Sequence, residues 1–281
     1  MPSIPFSKYH ALGNSCIVVS PDAVEAADLT ALAIRLCDVR LGVGSDGLLL
    51  GPLPSTAADF RLRILNPDGS EAEKSGNGLR IFCRHLWGEK FVSDAPLSIE
   101  TLGGVVSAEI LEKGKRIKVE MGKVRFTSED IPVEGPPREV LLEDVTVDGQ
   151  PFRFSAATVG NPHCVVLVDR LTEADTRKYG PMLESLSLFP KRANVQFMRV
   201  LDRRDIQIEI WERGAGYTYA SGSSSCAAAA VAYKLDLCDA DITVHMRGRD
   251  MHVRLDPDFN VTMTGPVVHV CDGAIEEEAI K

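Results

Sequence analysis

The sequence lacks any long hydrophobic run. No stretch approaches the 18 or so apolar residues that suggest a membrane-spanning helix, and the first ten residues carry no apolar signal segment. The 281 residues are nevertheless 44% hydrophobic, which at roughly 100 to 200 residues per domain is enough for two separate cores. We therefore expect a soluble, cytoplasmic protein of two domains, with no membrane partner.

Positive charge and paired metal ligands are also in short supply. With 31 basic against 40 acidic residues the net charge is -9, so no basic stripe is available for phosphates and a nucleic-acid partner is not expected. The seven cysteines are odd in number and never spaced C-x-x-C, which predicts neither a disulfide framework nor a zinc site. The six histidines form no H-E-x-x-H or i, i+4 pair, so we expect no metal.

A nucleotide fingerprint is present in form only. Residues 42–47 (GVGSDG) match G-x-G-x-x-G, but that motif binds a dinucleotide when a strand precedes it and a helix follows it. Here residues 32–41 predict a helix before the motif and Leu48–Leu50 a strand after it. We interpret the glycines as a tight turn.

The sequence does contain an internal repeat. Two serine-glycine helix starts, Ser75 and Ser221, lie 146 residues apart, and each follows an alternating strand that ends nine residues upstream. A Gly-Asn pair before an apolar strand also recurs, at residues 13–14 and 160–161. A period this long excludes a solenoid and predicts two similar halves of about 140 residues. Because residues 127–139 predict a loop, we place the boundary near Gly122, giving domains 1–121 with 267–281, and 122–266.

Each serine precedes a predicted helix, amphipathic after Ser75 and apolar all round after Ser221. Serine at such a position commonly serves only as an N-cap. Two matched helix starts instead favour a carboxylate site, because unpaired amides and the helix dipole attract an anion that glycines let approach. If the halves are related by a pseudo-twofold, both starts face one cleft, where one group removes and the other returns a proton beside the carboxylate.

Other polar residues suit a second, distal site. Asn66, Asn194 and Arg213 can donate to another carboxylate, and Glu212 can offset an ammonium group. The competing interpretation is structural, with asparagines in turns and a surface ion pair. For His163 we favour a buried, hydrogen-bonded side chain over a catalytic one.

Eight motifs in order carry a family resemblance. They are residues 6–14 (FSKYHALGN), 42–47 (GVGSDG), 66–73 (NPDGSEAE), 76–78 (GNG), 160–163 (GNPH), 192–195 (RANV), 212–216 (ERGAG) and 263–266 (MTGP). Together they resemble the diaminopimelate epimerase family over nearly the whole chain.

The resemblance implies an α/β fold of two pseudo-symmetric domains, each a curved mixed sheet around a central helix, with the active site in the interdomain cleft. It implies a cofactor-independent, PLP-independent two-base epimerisation of LL- to meso-diaminopimelate for lysine and cell-wall synthesis, with this amino acid as the partner; a homodimer is an option. By resemblance the catalytic positions are Ser75 and Ser221. The substrate-binding positions are Asn14, Asn66, Gly76, Asn77, Asn161, Asn194, Glu212, Arg213, Gly222 and Ser223.

The chain departs from the family where the chemistry occurs. Both family bases are cysteines, whereas Ser75 and Ser221 occupy those positions here. A thiol has a pKa near 8.5 that falls further beside a helix start, while a serine hydroxyl needs a neighbouring base. Tyr217 replaces the usual glutamate, and Ser224 and Ser225 replace the usual Gly-Ala, which favours natural divergence over two point changes.

Several functions therefore stay open from the sequence. The chain is an engineered Cys-to-Ser epimerase, a natural relative with altered chemistry, or an amino-acid-binding homologue without catalysis. Altered chemistry includes an isomerase, racemase or dehydratase of another small acid that uses one-sided proton transfer, as in the related proline racemase and methylitaconate isomerase families.

Overall fold

Seventeen strands and four α-helices are present in residues 3–24 and 28–280, which the computed structural model describes. The strands are β1 (Ser3–Ala11), β2 (Asn14–Val19), β3 (Leu48–Leu53), β4 (Phe60–Leu65), β5 (Leu97–Thr101), β6 (Gly104–Leu111), β7 (Arg116–Lys123), β8 (Glu143–Val147), β9 (Gln150–Thr158), β10 (Pro162–Leu167), β11 (Asn194–Val200), β12 (Asp205–Glu212), β13 (Gly216–Thr218), β14 (Asp241–His245), β15 (Asp250–Leu255), β16 (Asn260–Pro266) and β17 (Val268–Glu276). The helices are α1 (Leu29–Cys37), α2 (Gly76–Gly88), α3 (Glu173–Glu184) and α4 (Gly222–Lys234).

The chain divides into two compact units. One contains the residues up to Glu120 together with those from Thr264, and the other spans Met121–Met263. The chain passes from the first unit to the second within β7 and returns within β16.

The two units repeat one topology. In the first, β1–β2 is antiparallel, β2–β3 parallel, β3–β4 antiparallel, β4–β5 parallel and β5–β6 antiparallel. In the second, the pairs β9–β10, β10–β11, β11–β12, β12–β14 and β14–β15 follow in the same order with the same senses. Helices α1 and α3 occupy equivalent connections, as do α2 and α4. The predicted mixed α/β fold built from two similar halves is confirmed.

A buried helix forms the centre of each unit. Helix α4 packs against β9, β10, β11, β12, β14 and β15, and its residues 226–232 are fully buried. Its alanines favour the helix and let the strands approach closely. Helix α2 packs against β1, β2, β3 and β6, and it buries Leu79, Phe82 and Leu86 on the strand-facing side. The two predicted helices are therefore confirmed.

No helix in residues 3–24 or 28–280 is long and apolar enough to cross a membrane.

Helix α1 ends earlier than its apolar pattern predicts. We expected a helix over residues 32–41, but α1 ends at Cys37 because the Asp38 carboxylate accepts hydrogen bonds from the Arg40 and Leu41 amides, at 2.7 and 2.8 Å. Such a side-chain bond competes with helix continuation. The following glycine turn packs tightly, since a Cβ on Gly42 would lie 1.9 Å from the carbonyl oxygen of Arg35.

Candidate active site

Helix α2 begins with a capped turn whose first amides point outward. The Ser75 hydroxyl accepts a hydrogen bond from the Gly78 amide at 3.1 Å, and the Leu79 amide donates to the Ser75 carbonyl at 2.8 Å. The amides of Gly76 and Asn77 precede the first intrahelical bond and have no acceptor within the helix. These two amides, together with the helix dipole, form a site suited to a carboxylate.

A buried arginine lies directly behind this helix start. The Arg80 side chain is fully buried; its Nε donates to the Gly76 carbonyl at 3.2 Å and its Nη2 donates to the Asn77 side-chain oxygen. The guanidinium thus fixes the Asn77 side chain and adds a positive charge to the dipole within the first turn of α2. Sequence reasoning missed this residue, and its place on the buried face at i+4 from Gly76 was the available signal.

Helix α4 begins in the same way but with a looser cap. The Ser221 hydroxyl accepts from the Ser224 amide at 3.5 Å, compared with 3.1 Å for the equivalent bond at Ser75. The Ser225 amide and hydroxyl both donate to the Ser221 carbonyl, at 3.0 and 2.8 Å. Ser221 is 3% exposed. The amides of Gly222 and Ser223 are the counterparts of the two outward amides in α2.

The cap at Ser75 makes a stability prediction. Ser75→Ala should lower the free energy of unfolding by about 1 kcal/mol, because the Gly78 amide loses its acceptor, whereas Ser75→Gly should cost only a few tenths. Urea unfolding followed by circular dichroism measures both changes. Equal stability of the two variants would show that the hydroxyl does not act as a cap.

In the first unit, two predicted binding residues lie at the same end of neighbouring strands. Ile17 of β2 pairs with Leu48 of β3, which pairs with Leu65 of β4. Asn14 begins β2 and Asn66 directly follows β4, so this row places both asparagines at the same end of the sheet.

The α2 start lies over the same end of this sheet. After β4 the chain turns back, with a bridge between Leu65 and Glu71, and a Cβ on Gly78 would lie 3.2 Å from the Leu49 side chain in β3. Asn66 is half-buried, and its side-chain amide donates to the Ser70 hydroxyl at 3.0 Å. The first unit therefore places its predicted residues at the same end of the sheet as one helix start.

The second unit repeats this row. Cys164 of β10 pairs with Val195 of β11, which pairs with Trp211 of β12. At the matching end of the sheet lie four predicted residues, Asn161, Asn194, Glu212 and Arg213.

Helix α4 starts over the same strands as these four residues. The Gln196 side chain in β11 donates to the Ser224 hydroxyl in the first turn of α4 at 3.0 Å. The site-forming arrangement of the first unit, with a helix start above polar strand ends, is thus present a second time.

Asn194 links two parts of this second edge. Its side-chain amide donates to the Pro162 carbonyl at 3.1 Å, and its side-chain oxygen accepts from the Arg213 amide at 3.0 Å. The Arg213 side chain is exposed, with one guanidinium nitrogen donating to the Lys191 carbonyl at 2.9 Å. Arg213 therefore has an ordered backbone and retains donors for an anion.

His163 has a structural environment, as the sequence interpretation holds. It is fully buried, its Nε2 lies 3.0 Å from the Asn161 side-chain oxygen, and burial lowers its pKa to about 3. A neutral imidazole at physiological pH holds Asn161 in place at the sheet edge.

This shifted pKa predicts a pH dependence of stability. The unfolded chain protonates His163 near pH 6.5 and the folded chain only near pH 3, so its contribution is fully present above pH 6.5 and is lost as pH falls toward 3. Between pH 6 and 4 the parent should lose up to about 1.4 kcal/mol per pH unit relative to His163→Gln. Urea unfolding at each pH gives the free energy of unfolding of the two proteins. The same pH dependence of this free energy in both would disprove the prediction.

The cysteines in the two central helices do not replace the missing thiols. Cys83 and Cys226 are fully buried in α2 and α4, and burial raises the pKa of Cys83 to about 12. Tyr217 is not a base either, since burial raises the pKa of its phenol and its hydroxyl donates to the Glu209 carboxylate. Among the described residues, no three His, Cys, Asp or Glu side chains gather as metal ligands would.

Comparison with known proteins gives a consistent result. The profile of diaminopimelate epimerase matches residues 6–127 and 155–270. "Diaminopimelate epimerase 2" of Nostoc sp. is 56% identical over 274 residues, covering 97% of this chain and 96% of the relative. Diaminopimelate epimerase of Moorella thermoacetica is 40% identical over 273 residues, covering 95% and 98%. A hydroxyproline epimerase structure from Agrobacterium vitis, at 15% identity and a TM-score of 0.72, covers 99% of this chain and 95% of its own and shares the fold.

Proposed function

The chain belongs to the diaminopimelate epimerase family, and we propose that it binds diaminopimelate and interconverts the LL and meso forms by two-base proton transfer. The observation that carries this proposal is the repeated site, in which a serine-capped helix start lies over polar strand ends in each unit. Ser75 and Ser221 occupy the two base positions, and turnover is slow because both are hydroxyls.

The proposed chemistry needs only proton movements. One serine oxygen, as its alkoxide, takes the α-proton as the C–H bond breaks and the electron pair delocalises into the carboxylate. The hydroxyl of the other serine then gives its proton to the opposite face, which inverts the centre and leaves that serine as the alkoxide. Outward amides at Gly76, Asn77, Gly222 and Ser223, together with the buried Arg80, stabilise the negative charge that develops.

The two serines determine the rate. A hydroxyl can return a proton to a carbanion, but it is a weak base unless a neighbour takes its own proton. The Ser75 and Ser221 hydroxyls each accept a hydrogen bond from a backbone amide, at 3.1 and 3.5 Å. In this contact the oxygen is the acceptor, so each hydroxyl keeps its own proton. Proton removal from the α-carbon is therefore the slow step.

Residues that contact the distal end of the substrate select diaminopimelate over simpler amino acids. Arg213 and Asn194, joined by the 3.0 Å bond to the Arg213 amide, offer donors for a second carboxylate. Glu212, half-buried at the end of β12, is placed to offset the second ammonium group.

Incubation with LL-diaminopimelate in D2O, followed by mass and chiral analysis, tests the activity. We expect slow appearance of meso product with one deuterium at the inverted centre. Deuterium entry with retention of one stereoisomer would instead indicate one-sided proton transfer. Binding without deuterium entry would indicate an amino-acid-binding protein and contradict the proposed epimerisation.

A further inference from the structure

Glu184, the last residue of α3, is a buried carboxylate that the proposed reaction does not use. It is 3% exposed, and its Oε2 accepts a hydrogen bond from the Trp211 indole at 2.7 Å. Its Oε1 accepts from the Gly214 amide at 3.1 Å and forms an ion pair with Arg192. Burying a carboxylate costs free energy unless its oxygens accept hydrogen bonds or form ion pairs. Both oxygens of Glu184 have such partners.

The hydrogen bonds from Trp211 and Gly214 come from either side of Glu212 and Arg213, the turn proposed to bind the substrate. Trp211 directly precedes Glu212, and Gly214 directly follows Arg213. Glu184 therefore holds the Trp211 side chain before Glu212 and the Gly214 backbone amide after Arg213. A second restraint is the 3.0 Å bond between the Arg213 amide and Asn194.

The remaining contacts fix the loop on which the Arg213 side chain rests. Glu184 pairs with Arg192, and the Ala193 amide donates to the Glu184 carbonyl at 3.2 Å. The adjacent residue, Lys191, accepts a hydrogen bond from the Arg213 guanidinium at 2.9 Å. Glu184 therefore contacts both segments on which Arg213 depends, the turn that carries its backbone and the loop that accepts from its side chain.

We propose that Glu184 is a positioning residue that presents Arg213 to the second carboxylate of the substrate and so sets selectivity for an amino acid with two charged ends. This inference rests on the proposed function. Sequence reasoning missed Glu184 because its partners lie 8 to 30 residues away, and only the folded α3 brings them together.

A double-mutant cycle with calorimetric binding of meso-diaminopimelate tests this role. Glu184→Gln replaces an acceptor oxygen by a donor and should weaken binding about tenfold, the lower end of the loss seen when a residue that orients a metal ligand is removed. In an Arg213→Ala background the same change should have less than about a twofold effect, because residues that act through one another are not additive. Equal effects in both backgrounds, or none in the parent, would overturn the proposal.

Two further variants separate positioning from stability. Glu143→Gln is the matched control, since it removes a carboxylate that pairs with Arg138 at 2.6 Å in the same unit but away from the turn, and it should leave affinity unchanged. If Glu184→Gln does not fold, Arg192→Ala breaks only one contact of Glu184, at a side chain that is 55% exposed, and should weaken binding in the parent background alone. Failure of the parent to bind diaminopimelate is a separate result, which contradicts the proposed function itself.

Discussion

The double variant Ser75→Cys/Ser221→Cys should exchange the α-proton of diaminopimelate at least about 10²-fold faster than the parent, the lower range for a positioned acid-base group. A thiol with an ordinary pKa near 8.5 forms the thiolate at neutral pH far more readily than serine forms an alkoxide. Each replaced oxygen accepts from an amide in the first turn of its helix, where the dipole lowers a thiol pKa further. Deuterium entry from D2O measures the rate.

The single variants make this prediction sharper. In a two-base reaction each group removes the proton from one stereoisomer, so Ser75→Cys and Ser221→Cys should each accelerate exchange from a different isomer. Ser107→Cys, at an exposed position in β6, adds a thiol away from any helix start and should not accelerate exchange. If the double variant exchanged the α-proton no faster than the parent, this would contradict the assignment of Ser75 and Ser221 as the base positions.

Arg213→Ala should weaken diaminopimelate binding roughly 10- to 100-fold, because a hydrogen bond to a charged group contributes about 1.5–3 kcal/mol. The loss should be confined to ligands with a second amino-carboxylate end, which isothermal titration with diaminopimelate and with norleucine distinguishes.

The control is an arginine in another part of the same unit. Arg203 is also exposed and donates to Asp236 and Asp239, at 3.0 and 2.8 Å. Arg203→Ala should leave the affinity for both ligands unchanged. An equal loss of affinity for norleucine in Arg213→Ala would show that Arg213 does not read the distal end.

The repeat was readable from the sequence because it depends on local patterns. Ser75 and Ser221 each precede a helical apolar pattern, and the alternating strands upstream have the same spacing in both halves. The structure confirms both helices, with each serine as the N-cap. The register that aligns Leu65 and Trp211 in equivalent rows follows from the same spacing.

The buried charges were not readable. Arg80 and Glu184 are ordinary polar residues in the sequence, but they are 0% and 3% exposed in the structure. The partners of Glu184 come from distant segments, so no local pattern encodes its contacts. The partners of Arg80 in α2 lie three and four residues away, and only its helical spacing from Gly76 could have indicated them. Likewise, the early end of α1 depends on one carboxylate, that of Asp38, overriding an apolar pattern that continues to Leu41.

Titration of the parent protein with meso-diaminopimelate by isothermal calorimetry tests the central claim most directly. Binding of the ligand, unlike proton transfer, does not require a thiol at positions 75 and 221. The claim predicts saturable binding of one ligand per chain and at least tenfold weaker binding of norleucine. Absence of saturable binding at millimolar diaminopimelate, or equal affinity for norleucine, would contradict it.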